Sequence, residues 1–189
     1  FQRKGSGSET GRRRDSIQIL YSLELYRNPG FDFTADNLGG GRIIGEACHF
    51  IDMLTFLVGA APVSVSAHAL PDQGKYREDN VSMTFTFPDG SIGIVDYLAN
   101  GDKSMPKERL EVFCEGIIAV LDDYASLTTV KDGKKSVESG AQDKGWKAEM
   151  SAFAGAVQGG SEAPIPYEQL IGVTEARGGS EGRAGVEHD

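Results

Sequence analysis

Three side chains that can take part in proton transfer, Glu46, His49 and Asp52, recur at intervals of three residues in one apolar stretch. On an α-helix, residues three apart are neighbours, so His49 would lie between the two carboxylates. A histidine oriented by carboxylates can transfer protons near neutral pH. The spacing therefore indicates a candidate acid–base site with His49 as its proton-handling group. It is equally typical of a surface helix on which a histidine and two acids face water.

The surrounding residues place His49 near the start of a helix. Three glycines at residues 39–41 allow the backbone to turn tightly or to approach a ligand closely. An apolar run with helical spacing follows and predicts a helix over residues 44–58, which Gly59 would end. His49 thus follows a glycine-rich turn, from which its side chain can reach a bound molecule.

Composition and charge exclude several classes of function. The chain has 189 residues, of which 39% are hydrophobic and 25% charged, as is typical of a soluble globular protein. The net charge of −9 argues against general affinity for nucleic acids or anionic membranes, which require a basic surface. No apolar run approaches the ~20 residues that span a bilayer. Cys48 and Cys114 form no disulfide framework, and we expect a cytoplasmic protein.

Alternation of apolar and polar residues predicts a sheet. The expected strands are residues 17–25, 63–70, 81–87, 91–99, 109–115, 117–121, 126–131 and 135–138. Tight turns at residues 88–90 and 132–133 carry Gly90 and Gly133, which accept a positive φ. The short connections predict a mostly antiparallel sheet with one packed face and one polar face.

Two further helices and two irregular ends complete the predicted layout. Trp146, Met150, Phe153 and Val157 form one apolar stripe of a helix over residues 146–158, and residues 167–176 predict a last short helix. We expect a disordered arm at residues 1–15, one domain at residues 16–176 and a low-complexity tail at residues 177–189. The predicted fold class is α+β: an open, mostly antiparallel sheet with helices packed on one face.

The segment GGGRIIGEACHFIDMLTFLVG, residues 39–59, resembles the start of the C-terminal domain of the Gfo/Idh/MocA family of NAD(P)-dependent sugar oxidoreductases. The family pattern is Gly-Gly, a short apolar step, an acidic residue, His-x-x-Asp, an apolar helix and a glycine. The resemblance extends over residues 27–176, and the family's open sheet with helices on one side agrees with the predicted layout.

The resemblance implies catalytic roles for His49 and Glu46. His49 matches the family histidine, and Asp52 matches the Asp three residues later, which implies an orienting or structural role. The family's catalytic Asp lies four residues before the histidine, where this chain has Gly45. Either Glu46 replaces that Asp from the next position, or the site works without it.

Three further residues are candidates for substrate binding, the first two from the resemblance and the third from its position. Arg27 and Asn28 resemble the family's Tyr-Arg-x-Asn at a strand end, which implies that they border the sugar site; a turn contact is the alternative. Arg42, between the glycines and the helix, is placed to meet a phosphate or carboxylate; a solvated surface arginine is the alternative.

The family's cofactor half has no counterpart in this sequence. A strand–Gly-x-Gly-x-x-Gly–helix unit and the family's Glu-Lys-Pro motif are both absent from the 189 residues. The resemblance implies a substrate-binding and oligomerisation fragment, inactive alone, whose full-length parent uses NAD or NADP and pairs through its open sheet face as a homo-oligomer. The alternative is a non-catalytic binding or assembly module built on the sheet.

Two other chemistries fit the helix poorly. As metal ligands, Glu46, His49 and Asp52 would sweep too far around one helix for a compact site, so no metal is expected. A Cys48–His49 nucleophile is also disfavoured, because adjacent helical residues diverge by about 100° and the thiol is predicted to point away from the imidazole.

Overall fold

The structure of the protein is a computed structural model that describes residues 16–24, 46–71, 80–102 and 104–182. The strands are β1 (Gln18–Glu24), β2 (Ser64–Ala69), β3 (Asn80–Thr86), β4 (Ile92–Leu98), β5 (Glu108–Cys114), β6 (Ile117–Asp122), β7 (Ser126–Lys131) and β8 (Lys134–Ser139). The helices are α1 (Cys48–Val58), α2 (Trp146–Gly159) and α3 (Tyr167–Gly182). The predicted arm at residues 1–15 lies outside the described residues.

The eight strands form one open sheet in the order β2-β3-β4-β1-β5-β6-β7-β8. Neighbouring strands are antiparallel except for β1 and β4, which pair in parallel with Ile19 opposite Gly93. A parallel pair needs a long crossover, and the chain between β1 and β4 supplies it with α1 and the β2–β3 pair. The predicted α+β fold class is confirmed.

Helix α1 covers the central strands and forms the core with them. Its apolar face buries Phe50, Ile51 and Leu54, because these positions recur at helical spacing. Gly93 on β4 allows the close approach: a Cβ there would lie 2.6 Å from Cδ1 of Leu54. The helix ends at Gly59 in the left-handed region (φ 84°), as predicted, and the Gly59 amide donates to the Thr55 carbonyl oxygen.

Helix α3 packs on α1 and β2. Val173 is buried there, and Gly172 faces Ala61 so closely that a Cβ would lie 2.9 Å from the Ala61 Cβ. The helical backbone continues to Gly182, six residues into the segment predicted as a tail. None of the helices in the described part of the chain has the length and hydrophobicity that crossing a membrane requires.

Helix α2 differs from the sequence expectation. It forms over the predicted residues, but none of its side chains is buried. Trp146, Met150, Phe153 and Val157, the stripe predicted to pack, are 55–71% exposed. A helical apolar period identifies the apolar side of a helix, but it does not specify whether another element covers that side.

The sheet surface opposite α1 carries two apolar rows. Strand alternation turns Ile19 and Tyr21 towards α1, so their neighbours face the other way. The strand register aligns these outward residues across the sheet. We call this surface the open face; its apolar members are Leu20, Ile92, Ile94, Phe113, Ile118, Val120, Val130 and Val137.

Candidate active site

The candidate site lies at the N-terminal end of α1. Glu46 and Ala47 form a wider helical turn that leads into α1, and Ala47 is fully buried. His49 is exposed, whereas Phe50, the next residue, is buried against the sheet. The same turn therefore fixes the backbone through apolar packing and presents the imidazole to solvent.

The main chain of Glu46, and not its carboxylate, holds His49. Nδ1 of His49 lies 3.0 Å from the carbonyl oxygen of Glu46. The Glu46 carboxylate instead accepts a hydrogen bond of 3.2 Å at Oε2 from the hydroxyl of Tyr97. When Nδ1 carries the proton it donates to the carbonyl, which leaves Nε2 as the acceptor that can take a proton.

Asp52 forms its hydrogen bond with helix α3. Its Oδ1 accepts a hydrogen bond of 2.8 Å from Nε2 of Gln169 on α3. This contact joins α1 to α3, so Asp52 acts in helix packing. The sequence placed His49 between two carboxylates, and the structure gives each of those carboxylates a different partner.

The predicted separation of Cys48 and His49 is wrong. Sγ of Cys48 lies 3.5 Å from Nδ1 of His49. Side chains on a helix lean towards its N-terminus, and the imidazole leans far enough to reach the Glu46 carbonyl. That rotation brings Nδ1 beside the thiol despite the divergence of the two Cα–Cβ bonds.

Aromatic rings form the floor beneath His49. The ring centroids of Tyr21 and Phe50 are 4.8 Å apart, and Phe50 lies 6.4 Å from both Tyr97 and His49. Tyr21 and Tyr97 lie within two of the predicted strands, and no role in the site was expected of them. A signal for their second role was available, because a buried tyrosine hydroxyl requires a hydrogen-bond partner.

A polar cluster missed by sequence reasoning adjoins this floor; we call Tyr21, Glu108, Tyr124 and Lys144 the Glu108 cluster. Oε2 of Glu108 accepts a hydrogen bond of 2.5 Å from Tyr21, and its Oε1 accepts one of 2.7 Å from Nζ of Lys144. The hydroxyls of Tyr21 and Tyr124 are 3.2 Å apart. The partners of Glu108 are 87 and 36 residues away, so no local motif reveals the cluster.

The Glu108 cluster holds an ion pair and neutral tyrosines. Burial alone would raise the pKa of Glu108, but the hydrogen bonds from Lys144 and Tyr21 and the Lys144 charge outweigh it, so that pKa is lowered. The hydrogen bond to Glu108 raises the pKa of Lys144. Burial, followed by the hydrogen bond to Glu108, strongly raises the pKa of Tyr21. Glu108 is therefore a carboxylate and Tyr21 a hydrogen-bond donor at neutral pH.

The described residues lack the usual means of holding a metal or a dinucleotide. They contain no group of three or more His, Cys, Asp or Glu side chains placed to bind a metal ion. In the same ranges, no helix links two neighbouring parallel strands directly, which is how a dinucleotide site is built. The predicted substrate residues Arg27, Asn28 and Arg42 lie outside the described residues.

Comparison with known proteins identifies the domain type. A family model described as the GFO/IDH/MocA C-terminal domain matches residues 17–118. No curated protein matches the chain in sequence.

Solved structures share the fold at low sequence identity. UDP-N-acetylglucosamine 3-dehydrogenase GnnA from Acidithiobacillus ferrooxidans matches with a TM-score of 0.70 and 16% identity, over 91% of this chain and 56% of its own. Aldose-aldose oxidoreductase from Caulobacter crescentus matches with a TM-score of 0.74 and 15% identity, over 91% of this chain and 54% of its own. An oxidoreductase from Agrobacterium radiobacter was solved with NAD+, L-tartaric acid and magnesium. It matches with a TM-score of 0.68 and 14% identity, over 90% of this chain and 55% of its own. The chain spans about half the length of these structures.

Proposed function

Because this chain belongs to the GFO/IDH/MocA family of C-terminal domains, we propose that it is the substrate-side half of an NAD(P)-dependent oxidoreductase. The substrate class is a sugar, an inositol or a nucleotide sugar, oxidised at a hydroxyl-bearing carbon. Support comes from the matched structures, whose names include a UDP-N-acetylglucosamine dehydrogenase and an aldose-aldose oxidoreductase. Arg27, Asn28 and Arg42 are proposed to bind this substrate.

The observation that carries the proposal is the placement of His49. Its imidazole is exposed, its Nδ1 is held by a main-chain carbonyl, and its backbone is fixed by a packed aromatic floor. This arrangement leaves Nε2 free to accept the hydroxyl proton as the carbon is oxidised. Glu46, whose side chain is held by Tyr97, is proposed to take the place of the family's Asp, and its main-chain carbonyl orients the imidazole.

In this proposal, the 189 residues do not themselves hold the NAD or NADP cofactor. The described residues offer no dinucleotide site, so NAD or NADP would be held by another part of a longer protein. The 189 residues alone are then expected to be inactive and to bind NAD(H) and NADP(H) only weakly. Isothermal titration that gives a micromolar dissociation constant for either dinucleotide would contradict this assignment.

His49→Ala in the full-length parent tests the catalytic role. General acid–base catalysis contributes roughly 10²–10⁴-fold, so turnover should fall by that factor while affinity for the nicotinamide cofactor is retained. His68→Ala is the matched control, because His68 is also an exposed histidine but lies on β2 and not on α1. Near-normal turnover of His49→Ala would leave His49 with a structural role only.

Self-association through the open face is part of the proposal. The apolar rows of that face include Phe113 and Ile118, a directly paired couple that is 38% and 36% exposed. Exposed apolar side chains grouped on one face of a sheet are typical of protein–protein contacts. A homo-oligomer is therefore expected, and the cytoplasm remains its expected location because the two cysteines form no disulfide framework.

The open face also favours a second candidate, a non-catalytic assembly module built on the same sheet. The reading frame upstream of Phe1 separates the two candidates. A dinucleotide-binding half that ends in Glu-Lys-Pro would favour the enzyme, whereas its absence would favour the module.

A further inference from the structure

Helix α2 is well formed, yet none of its side chains is buried within the described part of the chain. It runs for 14 residues and is closed by Gly160 in the left-handed region. A helix of this length is marginal in water, and most helices in proteins are stabilised by burial of an apolar face. The α2 stripe, defined as Trp146, Met150, Phe153 and Val157, is 71%, 64%, 55% and 66% exposed.

The sheet holds the start of α2 by polar contacts. Lys144 forms its 2.7 Å ion pair with Glu108, and the Asp143 amide donates to the Tyr124 carbonyl oxygen. Nε2 of Gln142 donates to the carbonyl oxygen of Asp123 in the same turn. The α2 stripe is therefore presented from an anchored position, although its own side chains are mostly exposed there.

This anchor is connected to the candidate active site by direct contacts. Lys144 bonds to Glu108, Glu108 bonds to Tyr21, and the Tyr21 ring packs on Phe50, the neighbour of His49. A domain that docks on the α2 stripe would therefore be connected through these contacts to the helix that carries His49.

We propose that the α2 stripe is the surface on which the nucleotide-binding half of the oxidoreductase docks. The proposal rests on the proposed function. The matched structures align with about 90% of this chain but with only 54–56% of their own length, so each contains a comparable amount of further chain. One of them is bound to NAD+. The α2 stripe is apolar and is connected to the aromatic residues beneath His49, so it is a suitable docking surface for the nucleotide-binding half.

The size of the α2 stripe favours this occupant over a second copy of the chain. Four such side chains expose roughly a few hundred Å² of apolar surface. A stable dimer buries about 800 Å² per partner, which the stripe alone does not provide. Contacts between domains of one chain need less area, because the covalent link keeps the local concentration high. The open face already offers a separate surface for a second copy.

Hydrogen–deuterium exchange of residues 146–159 tests the docking. It is measured in the 189-residue chain and in the complete gene product that contains it, with residues 108–139 as internal reference. Docking should slow exchange in α2 by about tenfold or more in the complete product. Trp146 is the single tryptophan of the chain, so in the 189 residues alone its fluorescence should be readily quenched by acrylamide.

Two matched serine substitutions locate the contact. Phe153→Ser removes a member of the stripe, whereas Ala152→Ser introduces the same hydroxyl at an exposed neighbouring position off the stripe. Phe153→Ser should abolish the protection in the complete product, and Ala152→Ser should preserve it. Neither should shift the melting temperature of the 189-residue chain, because α2 buries no side chain there.

The outcomes distinguish the docking from the proposed function. A complete product that binds NAD(H) and turns over while α2 exchanges as fast as in the 189-residue chain would overturn the docking alone. A complete product without a nucleotide-binding half would overturn both. Protection that appears in the 189-residue chain and grows with its concentration would assign the stripe to a second copy and overturn the proposal.

Discussion

The hydroxyl of Tyr97 donates a hydrogen bond of 3.2 Å to Oε2 of Glu46, and so joins β4 to the turn that opens α1. Tyr97 is completely buried, and the main-chain carbonyl of Glu46 faces Nδ1 of His49. The sheet therefore influences the position of the imidazole through Glu46. Glu46 was expected to act on His49 through its carboxylate, but its main-chain carbonyl makes the contact.

Tyr97→Phe should lower the free energy of unfolding by about 0.5–1.5 kcal/mol, because it removes one hydrogen bond and preserves the ring. Urea unfolding of the 189-residue chain measures this loss. In a Glu46→Ala background the same substitution should cost less, since the acceptor is already absent. Equal costs in both backgrounds would show that the hydrogen bond does not couple the two residues.

Glu108→Gln should lower the free energy of unfolding at about pH 7 by about 1.5–3 kcal/mol, because it removes the charged partner of Lys144. The folded-state pKa of Glu108 is below its ordinary value of 4.5. The contribution of Glu108 is therefore present above that value and is lost as the pH falls through the lowered pKa. The difference between the wild type and the variant should shrink as the pH approaches 3.

At alkaline pH the stability contributed by the ion pair changes with the opposite sign, because it depends on the charge of Lys144. The pKa of Lys144 in the folded state is above its ordinary value of 10.5. Its contribution is present below 10.5 and is lost as the pH rises through the raised pKa. Urea unfolding from pH 3 to pH 11 measures both limbs. A difference between the wild type and Glu108→Gln that does not vary with pH would contradict the ion pair.

Gly93→Ala should destabilise the fold by about 1–3 kcal/mol, the usual cost of overpacking a core. The new Cβ would lie 2.6 Å from Leu54, a fully buried side chain with little room to move. Gly155→Ala, on α2, is the matched control, because a Cβ added there would have no neighbour within 4 Å. This substitution should be neutral or stabilising, by up to about 1 kcal/mol. Thermal unfolding compares them, and equal effects would refute the close packing of α1 on β4.

Ile118→Lys should weaken self-association at least tenfold, because it places a charge in the middle of the apolar rows of the open face. Sedimentation velocity across a range of protein concentrations measures the association. Leu70→Lys, an equivalent change at an exposed position just after β2, is the control and should leave association unchanged. A wild-type chain that is monomeric at high concentration would remove the open face as an interface of this chain.

The sequence by itself determined the elements and their local geometry. Period-two alternation and the turns between the runs predicted the eight described strands, and the helical period identified α1, with Gly59 as its end. The turn at Gly90 also followed directly from its residue types, since φ there is 84°. These features depend on residues within a few positions of one another, so they are legible without knowledge of the remainder of the chain.

Only the tertiary structure decided how distant residues combine. Strand β1 lies between β4 and β5 and is parallel to β4, a pairing set by contacts more than 70 residues apart. Glu46 meets Tyr97 across 51 residues, and Asp52 meets Gln169 across 117. Spacing along α1 shows that Glu46, His49 and Asp52 lie near one another. It does not show which partner each side chain selects, because that choice depends on the hydrogen-bonding groups that the sheet and α3 bring alongside.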